Sequence, residues 1–417
     1  MSRATADRAG GVHPHRGSLL GEAEVRAVAE VLRADAPLSM GPVREEFERA
    51  FARHVGAAHA LTVTSGTVAL EIAIRLLDLR AGDEVVVTPQ TYHATAQPLL
   101  ATEATVRFCD VEPGSLNMDP DALETLVNER TKAVILVHYG GNPADMDRIT
   151  AIAHAHGALV VEDCAHAIGA EYRGRRPGAL GDLSCFSFQA SKNITTLGEG
   201  GMVCTPSPEL ARRIDRIRSN AVDGTFTPSA HRRPPAALPW MAYADYAYRE
   251  DCTGLRGSGT NAALSEAACA VGLVQLGRLP EFVARRRAIA AELDAVCRRF
   301  DVLPLTAAPD AVHPYHLYTA LVPGDGRRDR VLDALQRSGT PAQLRYHPVH
   351  LLPEWRLRGH GEGECPVAER LWFGEHLNLP CHPAMSDRQV ETLGANLAAA
   401  LSGRDAPARR EKEPSCP

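Results

Sequence analysis

The sequence predicts an α/β fold: a large domain built on a parallel sheet with helices on both faces, followed by a smaller α+β domain. Two observations carry this. Short β-branched runs alternate with amphipathic helical stretches, the pattern left by crossover connections between parallel strands. The chain also has 417 residues, enough for two or three domains at roughly 150 residues each and enough to bury a large core without staples.

Taken in order, residues 1–12 are small and polar and read as a disordered tail. A large domain is expected over 13–290. Its strands are Ala60–Val63, Glu84–Val87, Val106–Cys109, Ala133–Val137 and Leu159–Glu162. Between them, Thr67–Leu77, Ala94–Leu100, Pro120–Asn128 and Asp145–His156 carry helical patterning. Segment Val222–Gly259 breaks the rhythm with Pro228, Pro234, Pro235 and Pro239 among Trp240, Tyr243, Tyr246 and Tyr248, and reads as a long loop. Helical patterning resumes over Asn261–Leu279 and Glu281–Phe300. The smaller domain is expected over 291–403, with strands at Tyr315–Leu321 and Ala342–Tyr346. Residues 404–417 are charged and Pro-rich, a second tail.

Composition excludes several classes. The net charge is −6, so no basic excess draws nucleic acid or an anionic membrane. The arginine-rich spots Arg173–Arg176, Arg285–Arg287 and Arg409–Lys412 are short and read as solvated faces and a tail. Ten cysteines without CxxC spacing read as reduced thiols. No apolar run reaches the roughly 18 residues of a spanning helix, and the polar N-terminus lacks a secretory apolar region. A cytoplasmic protein without membrane or nucleic-acid partners is expected.

Four motifs carry chemistry. Only three lysines occur, at 132, 192 and 412. Lys192 lies in a Ser/Thr/Gly-rich turn, Phe186-Ser187-Phe188-Gln189-Ala190-Ser191-Lys192, that ends at Gly198-Glu199-Gly200-Gly201. A buried lysine lowers its pKa and becomes an amine nucleophile; a surface lysine is the plain alternative. Asp163 follows an apolar strand, where α/β sheets bind ligands. It suits the partner of a protonated pyridine nitrogen, and equally a helix N-cap. Thr64-Ser65-Gly66-Thr67 leads a strand into a helix, forming either a phosphate cup or an ordinary cap. Tyr92, in Thr91-Tyr92-His93, could stack on a flat ring or pack in the core. Phosphate cup, stacking aromatic, acid and amine occur in this chain order, each at a strand end. The conjunction points to a pyridine cofactor held through Lys192.

With these residues the chain resembles the DegT/DnrJ/StrS family of fold-type I pyridoxal-phosphate sugar aminotransferases. The resemblance runs from about Gly17 to Leu401. It includes Gly41-Pro42-Val43-Arg44-Glu45-Glu46-Phe47-Glu48, Ser65-Gly66-Thr67-Val68-Ala69-Leu70, Glu162-Asp163-Cys164-Ala165-His166-Ala167, the Lys192 stretch, Gly259-Thr260-Asn261 and Tyr346-His347-Pro348-Val349-His350. It implies a mostly parallel seven-stranded sheet, with pyridoxal 5′-phosphate on Lys192 as a Schiff base. Asp163 would hold the pyridine nitrogen, His166 would sit at the phenolic oxygen, and Tyr92 would stack. Gly66, Thr67 and Ser187 would bind phosphate. Asn261 would reach the neighbouring subunit's phosphate in a homodimer with shared sites. His316, Arg345, Tyr346 and His347 would contact substrate.

Four departures from the family pattern lie where substrate contacts are expected. These are Gln189 where relatives often carry His, Ala262-Ala263 after Asn261, Arg345 where many carry His, and the long Val222–Gly259 segment. The implied reaction moves an amino group from glutamate or glutamine to a ketone. A nucleotide-linked keto-deoxysugar and a free cyclitol ketone compete as acceptor. A nucleotide diphosphate would want cations, which Arg345, Arg232 or Arg233 could supply. The Ala- and Arg-rich composition fits antibiotic or surface-sugar biosynthesis. A dehydratase relative would carry His at the lysine position, and this chain keeps Lys192. His347 and His350 form an HxxH that lacks further metal ligands, so no metal is expected.

Overall fold

A computed structural model describes residues 17–230 and 248–403. Both expected tails, together with Arg232, Arg233 and the aromatics from Trp240 to Tyr246, lie outside the described residues.

The large unit is a seven-stranded sheet. Its strands are β1 (His59–Val63), β2 (Glu84–Val87), β3 (Thr105–Phe108), β4 (Thr131–Val137), β5 (Leu159–Asp163), β7 (Leu183–Ser187) and β8 (Gly201–Thr205). The two-residue strand β6 (Glu171–Tyr172) pairs elsewhere with Ala311–Val312. The spatial order is β1-β8-β7-β5-β4-β2-β3. β8 runs antiparallel to both its neighbours, and the remaining pairs are parallel. Strands buried on both faces read as continuous apolar runs. Val85, Val87, Ala133 and Ile135 enter one core cluster, and Val86, Val134 and Leu136 enter the other. That is the period-two alternation of a strand. The five expected strands of this sheet are all present within a residue or two of their predicted limits.

Helices α1 (Glu22–Arg33), α2 (Pro42–Val55), α3 (Gly66–Leu76), α4 (Pro120–Leu126), α5 (Met146–Ala155) and α6 (Pro208–Arg218) accompany the sheet. The next helix, α7, runs from Glu266 to Arg298. It replaces the two helices expected over Asn261–Leu279 and Glu281–Phe300. Its start is set by Ser265, whose hydroxyl accepts the Ala268 N–H at 3.3 Å, and not by Asn261. Pro280 lies inside α7 without ending it, because Leu279 and Phe282 on either side are buried in one cluster. Further along, Ile289, Leu293 and Cys297 enter the core of the C-terminal unit. The expected domain boundary at residue 290 therefore falls within a helix that serves both cores. Glu266, fully buried, takes the N–H groups of Gly41, Val43 and Arg44 and so caps α2. Helix α7 is long and apolar enough to cross a bilayer, but its apolar side chains are spent on these cores.

Three further expectations need correcting. Ala94–Leu100 is not an α-helix but two 3₁₀ turns, His93–Thr95 and Gln97–Ala101, with Pro98 opening the second. Val222–Gly259 is not wholly loop: β9 (Asp223–Pro228) pairs antiparallel with β10 (Glu250–Gly257) through two register shifts. Their polar, Gly-containing sequences hide the strand alternation. Ala342–Tyr346 forms no strand; one bridge, Gln343 to Asn378, is all it contributes. The C-terminal unit is a three-stranded antiparallel sheet of Leu303–Pro304, Tyr318–Leu321 and His376–Leu379, packed by Arg327–Arg337 and Asp387–Leu401. The nine described cysteines are all unpaired, as expected.

Candidate active site

The carboxyl ends of β1, β2, β5 and β7 open onto one cavity of about 510 Å³. Ser65, Gly66, Thr67, Thr91, Tyr92, Asp163, His166, Ser187, Lys192, Arg345 and Tyr346 line it. This is where open α/β sheets place ligands.

The cup comes first. Ser65 caps α3, its hydroxyl accepting the Val68 N–H at 3.1 Å. Gly66 and Thr67 occupy the first turn, whose N–H groups have no acceptor within the helix. They point their partial positive charge into the cavity. Only glycine fits at 66, since a Cβ there would lie 2.7 Å from the Ser187 Cβ. Gly201 has the same logic. A Cβ there would lie 2.4 Å from the Ser65 carbonyl oxygen, so the Gly200-Gly201 pair lets β8 pass beneath the cup.

Asp163 ends β5 and is buried. Thr95 donates to its Oδ2 at 2.7 Å and the Ala165 N–H to its Oδ1 at 3.0 Å. Thr91 and Thr95 share a further hydrogen bond at 2.6 Å. These bonds aim the carboxylate into the cavity. The residue before it in β5 is Glu162, fully buried and accepting from His138, Ser184 and the N–H groups of Gly178, Leu180 and Gly181. Glu162, His138 and Cys164 lie within 4.8 Å of one another, but those donors already occupy the carboxylate. Glu162 acts as the anchor that ties β5 to the turn before β7.

Lys192 follows β7. Burial pulls its amine down from 10.5 to about 8, against the attraction of Asp163 and with added repulsion from Arg345. The lowered value raises the share of neutral amine near neutral pH far above that of a free lysine, which is what a nucleophile or proton carrier needs.

Three rings stack above. His166 lies parallel to His316, centroids 4.5 Å apart, and to Tyr346 at 5.8 Å. The His166 Nε2 is 3.4 Å from the Tyr346 hydroxyl. Burial, then the nearby Lys192, hold His166 well below 6.5; burial, then His166, do the same for His316. Both rings are therefore neutral. The His166 Nδ1 and the His316 Nε2 are buried without a hydrogen-bond partner. Tyr92 is 47% exposed and meets Tyr346 edge-on at 5.6 Å. It faces the cavity, not the core.

The structure thus gathers Gly66, Thr67, Tyr92, Asp163, His166, Ser187, Lys192, Arg345 and Tyr346 around one cavity, with His316 stacked behind. It does not bring Asn261 or His347 there within one chain. Asn261 is exposed and bridges to Ser219. His347 turns away against Trp372 and Phe373. His350 hydrogen-bonds Glu369 at 2.9 Å, so the HxxH is split between two separate packings. Sequence reasoning missed Thr95, Gln90 and Tyr139. Thr95 holds Asp163; Gln90 donates to the Tyr346 carbonyl at 2.9 Å and Tyr139 to the Arg345 carbonyl. The i, i+4 spacing of Thr91 and Thr95 was the one visible signal, and it is too common to single out.

Known proteins share this fold. The model of the DegT/DnrJ/EryC1/StrS aminotransferase family matches residues 19–398. The spore coat polysaccharide biosynthesis protein SpsC of Bacillus subtilis is 35% identical, over 94% of this chain and 98% of its own length. The L-glutamine:2-deoxy-scyllo-inosose aminotransferase of Streptomyces fradiae is 36% identical, over 78% of this chain and 75% of its own. Among solved structures, the aminotransferase TlmJ from Streptoalloteichus hindustanus superposes with a TM-score of 0.80 at 32% identity, covering 93% of this chain and 98% of that one. The chain belongs to the DegT/DnrJ/EryC1/StrS aminotransferase family and is a pyridoxal 5′-phosphate-dependent aminotransferase.

Proposed function

We propose that this enzyme moves an amino group from glutamate or glutamine to the ketone of a nucleotide-linked keto-deoxysugar, in antibiotic or surface-sugar biosynthesis. The observation that carries the chemistry is the shared cavity of Lys192, Asp163 and the Gly66–Thr67 turn, each at a strand end. The acceptor class is supported by relatives such as the dTDP-3-amino-3,4,6-trideoxy-alpha-D-glucose transaminase of Streptomyces venezuelae, 35% identical. The Streptomyces fradiae relative favours a second reading, a free cyclitol ketone.

The residues fit pyridoxal phosphate. The first-turn N–H groups of α3 have no acceptor within the helix and line the cavity beside Ser187, and His166 offers a buried Nδ1 that lacks a partner. When bound, the cofactor supplies an electrophilic carbon for the amino group and a ring that takes up carbanion charge. In our reading Gly66, Thr67 and Ser187 would hold its phosphate, and Tyr92 would lie against its ring. Asp163, aimed by Thr95, would keep the pyridine nitrogen protonated. His166, neutral, would face the phenolic oxygen. Lys192 Nζ takes the proton from the donor's Cα and returns a proton to the acceptor carbon in the second half of the cycle. The closed stack of His166, His316 and Tyr346 limits water on that side. Asn261, exposed here, completes a neighbour's phosphate site in a homodimer.

The test is a panel of ketones with glutamate and glutamine as donors. We expect turnover with a nucleotide-linked 4-keto or 3-keto deoxysugar. Turnover confined to scyllo-inosose-type cyclitols would replace the first reading with the second. Lys192→Ala should abolish transamination while leaving the fold intact; retained turnover would sink the assignment of that residue.

A further inference from the structure

We propose that Arg345 is the receptor for the α-carboxylate of the amino donor. The inference rests on the aminotransferase reading of the cavity and adds the residue that recognises its first substrate.

The enzyme's two substrates use one cavity in turn. Every α-amino acid donor brings a carboxylate on the very carbon that loses its proton, so the site needs a cation within a few ångströms of the Lys192 amine. Of the lining residues, the cations are Lys192 and Arg345, and the acids are Asp163 and Glu199. Lys192 is committed to chemistry. Arg345 forms no ion pair within 4.0 Å among the described residues; its guanidinium meets the neutral Tyr346 hydroxyl, which leaves its charge uncompensated.

The backbone that carries Arg345 is held from three sides. Its N–H donates to Asn378 Oδ1 at 2.6 Å, its carbonyl accepts from the Tyr139 hydroxyl, and the next carbonyl accepts from Gln90 Nε2 at 2.9 Å. Asn378 belongs to the C-terminal sheet, and Tyr139 and Gln90 to loops at the ends of β4 and β2. Such clamping costs freedom that is worth giving up only if the side chain must be presented in one place. A planar, five-donor guanidinium matches a carboxylate with two parallel hydrogen bonds.

A diphosphate is the competing oxyanion. In a nucleotide-linked sugar it hangs from the anomeric carbon, with ring atoms between it and a reacting carbonyl at C3 or C4. Arg345 instead lines the same cavity as the reacting amine, close enough to repel a proton from Lys192 and His166. That proximity suits the group attached to the reacting carbon.

The experiment follows the donor half-reaction in holoenzyme, read as bleaching of the cofactor band, for wild type, Arg345→Gln and Arg345→Lys. The titrants are L-glutamate, L-glutamine and 4-aminobutyrate, which has an amine but no α-carboxylate. We expect Arg345→Gln to raise the half-saturating concentration of the α-amino acids roughly 10- to 150-fold, as expected for loss of a charge-assisted hydrogen bond. Arg345→Lys should recover part of this. The response to 4-aminobutyrate should stay within about twofold of wild type. Competitive inhibition by a nucleoside diphosphate, measured alongside, should not change. Unaltered donor half-saturation, or loss confined to nucleoside diphosphate inhibition, overturns the assignment. If Arg345→Gln does not fold, Arg345→Lys carries the same comparison. Which amino acid bleaches wild type tests the donor reading separately, since every α-amino acid offers the carboxylate that Arg345 would meet.

Discussion

Replacing Lys192 with Met should stabilise the cofactor-free enzyme. The fold lowers the lysine's pKa from 10.5 to about 8, so it disfavours the charged form. At 1.36 kcal/mol per unit, that is a penalty of roughly 3 kcal/mol at neutral pH. The sign follows from proton counting. Between about 8 and 10.5 the unfolded chain holds this proton and the folded one does not, so folding stability rises with pH through that window. Below about 8 both states are charged and the full penalty stands. Above 10.5 both are neutral and it vanishes. Methionine keeps the apolar stem and removes the charge. With roughly 2.1 cal/mol/K of unfolding entropy per residue over 417 residues, the thermal midpoint should rise by about 3 °C at pH 7. The assay is thermal unfolding of cofactor-stripped wild type and Lys192→Met from pH 7 to 10.5. The gap should narrow as pH rises. Equal midpoints at pH 7, or a gap that widens towards pH 10, would refute the reasoning. The enzyme would then not be holding a strained amine in readiness.

Three further outcomes follow from the same geometry. Gly66→Ala places a methyl 2.7 Å from the Ser187 Cβ, so it should cost about 1–3 kcal/mol by overpacking and weaken pyridoxal phosphate binding, both readable by denaturation and cofactor titration. Glu162→Ala removes a buried carboxylate and strands the donors of His138, Ser184 and three backbone N–H groups; chemical denaturation should show a loss of about 3–5 kcal/mol. Burial alone would raise the Glu162 carboxyl, but hydrogen bonds from His138, Gly181 and Ser184 hold it below 4.5, so the stability it contributes is present above that value and is lost on acidification through its lowered pKa. Asn261→Ala should weaken cofactor affinity in a subunit-mixing assay with Lys192→Ala chains, and unchanged affinity would argue against a shared site.

Much of the site was legible because it is built from local chemistry at strand ends. A strand that runs into Ser65-Gly66-Thr67 must present helix N–H groups, whatever surrounds it. A single lysine in a glycine-rich turn and an acid closing an apolar strand are equally local. The sheet was legible for a related reason, since strands buried on both faces leave unbroken apolar runs such as Val134–Val137. The strands β9 and β10 were not, because their polar residues pair with each other and leave no apolar face to read.

By itself, then, the sequence determined that Ser65-Gly66-Thr67, Asp163 and Lys192 stand at strand ends, because backbone direction and residue type suffice for that placement. Tertiary structure alone decided what completes them. Thr95 meets Asp163 across 68 positions, and His166 meets Tyr346 across 180. Arg345 reaches the cavity only because Asn378, Tyr139 and Gln90, from three distant segments, clamp its backbone. No period or motif encodes such meetings. They arise when the long helix carrying Pro280 ties two cores together and lays the C-terminal segment over the ends of the strands.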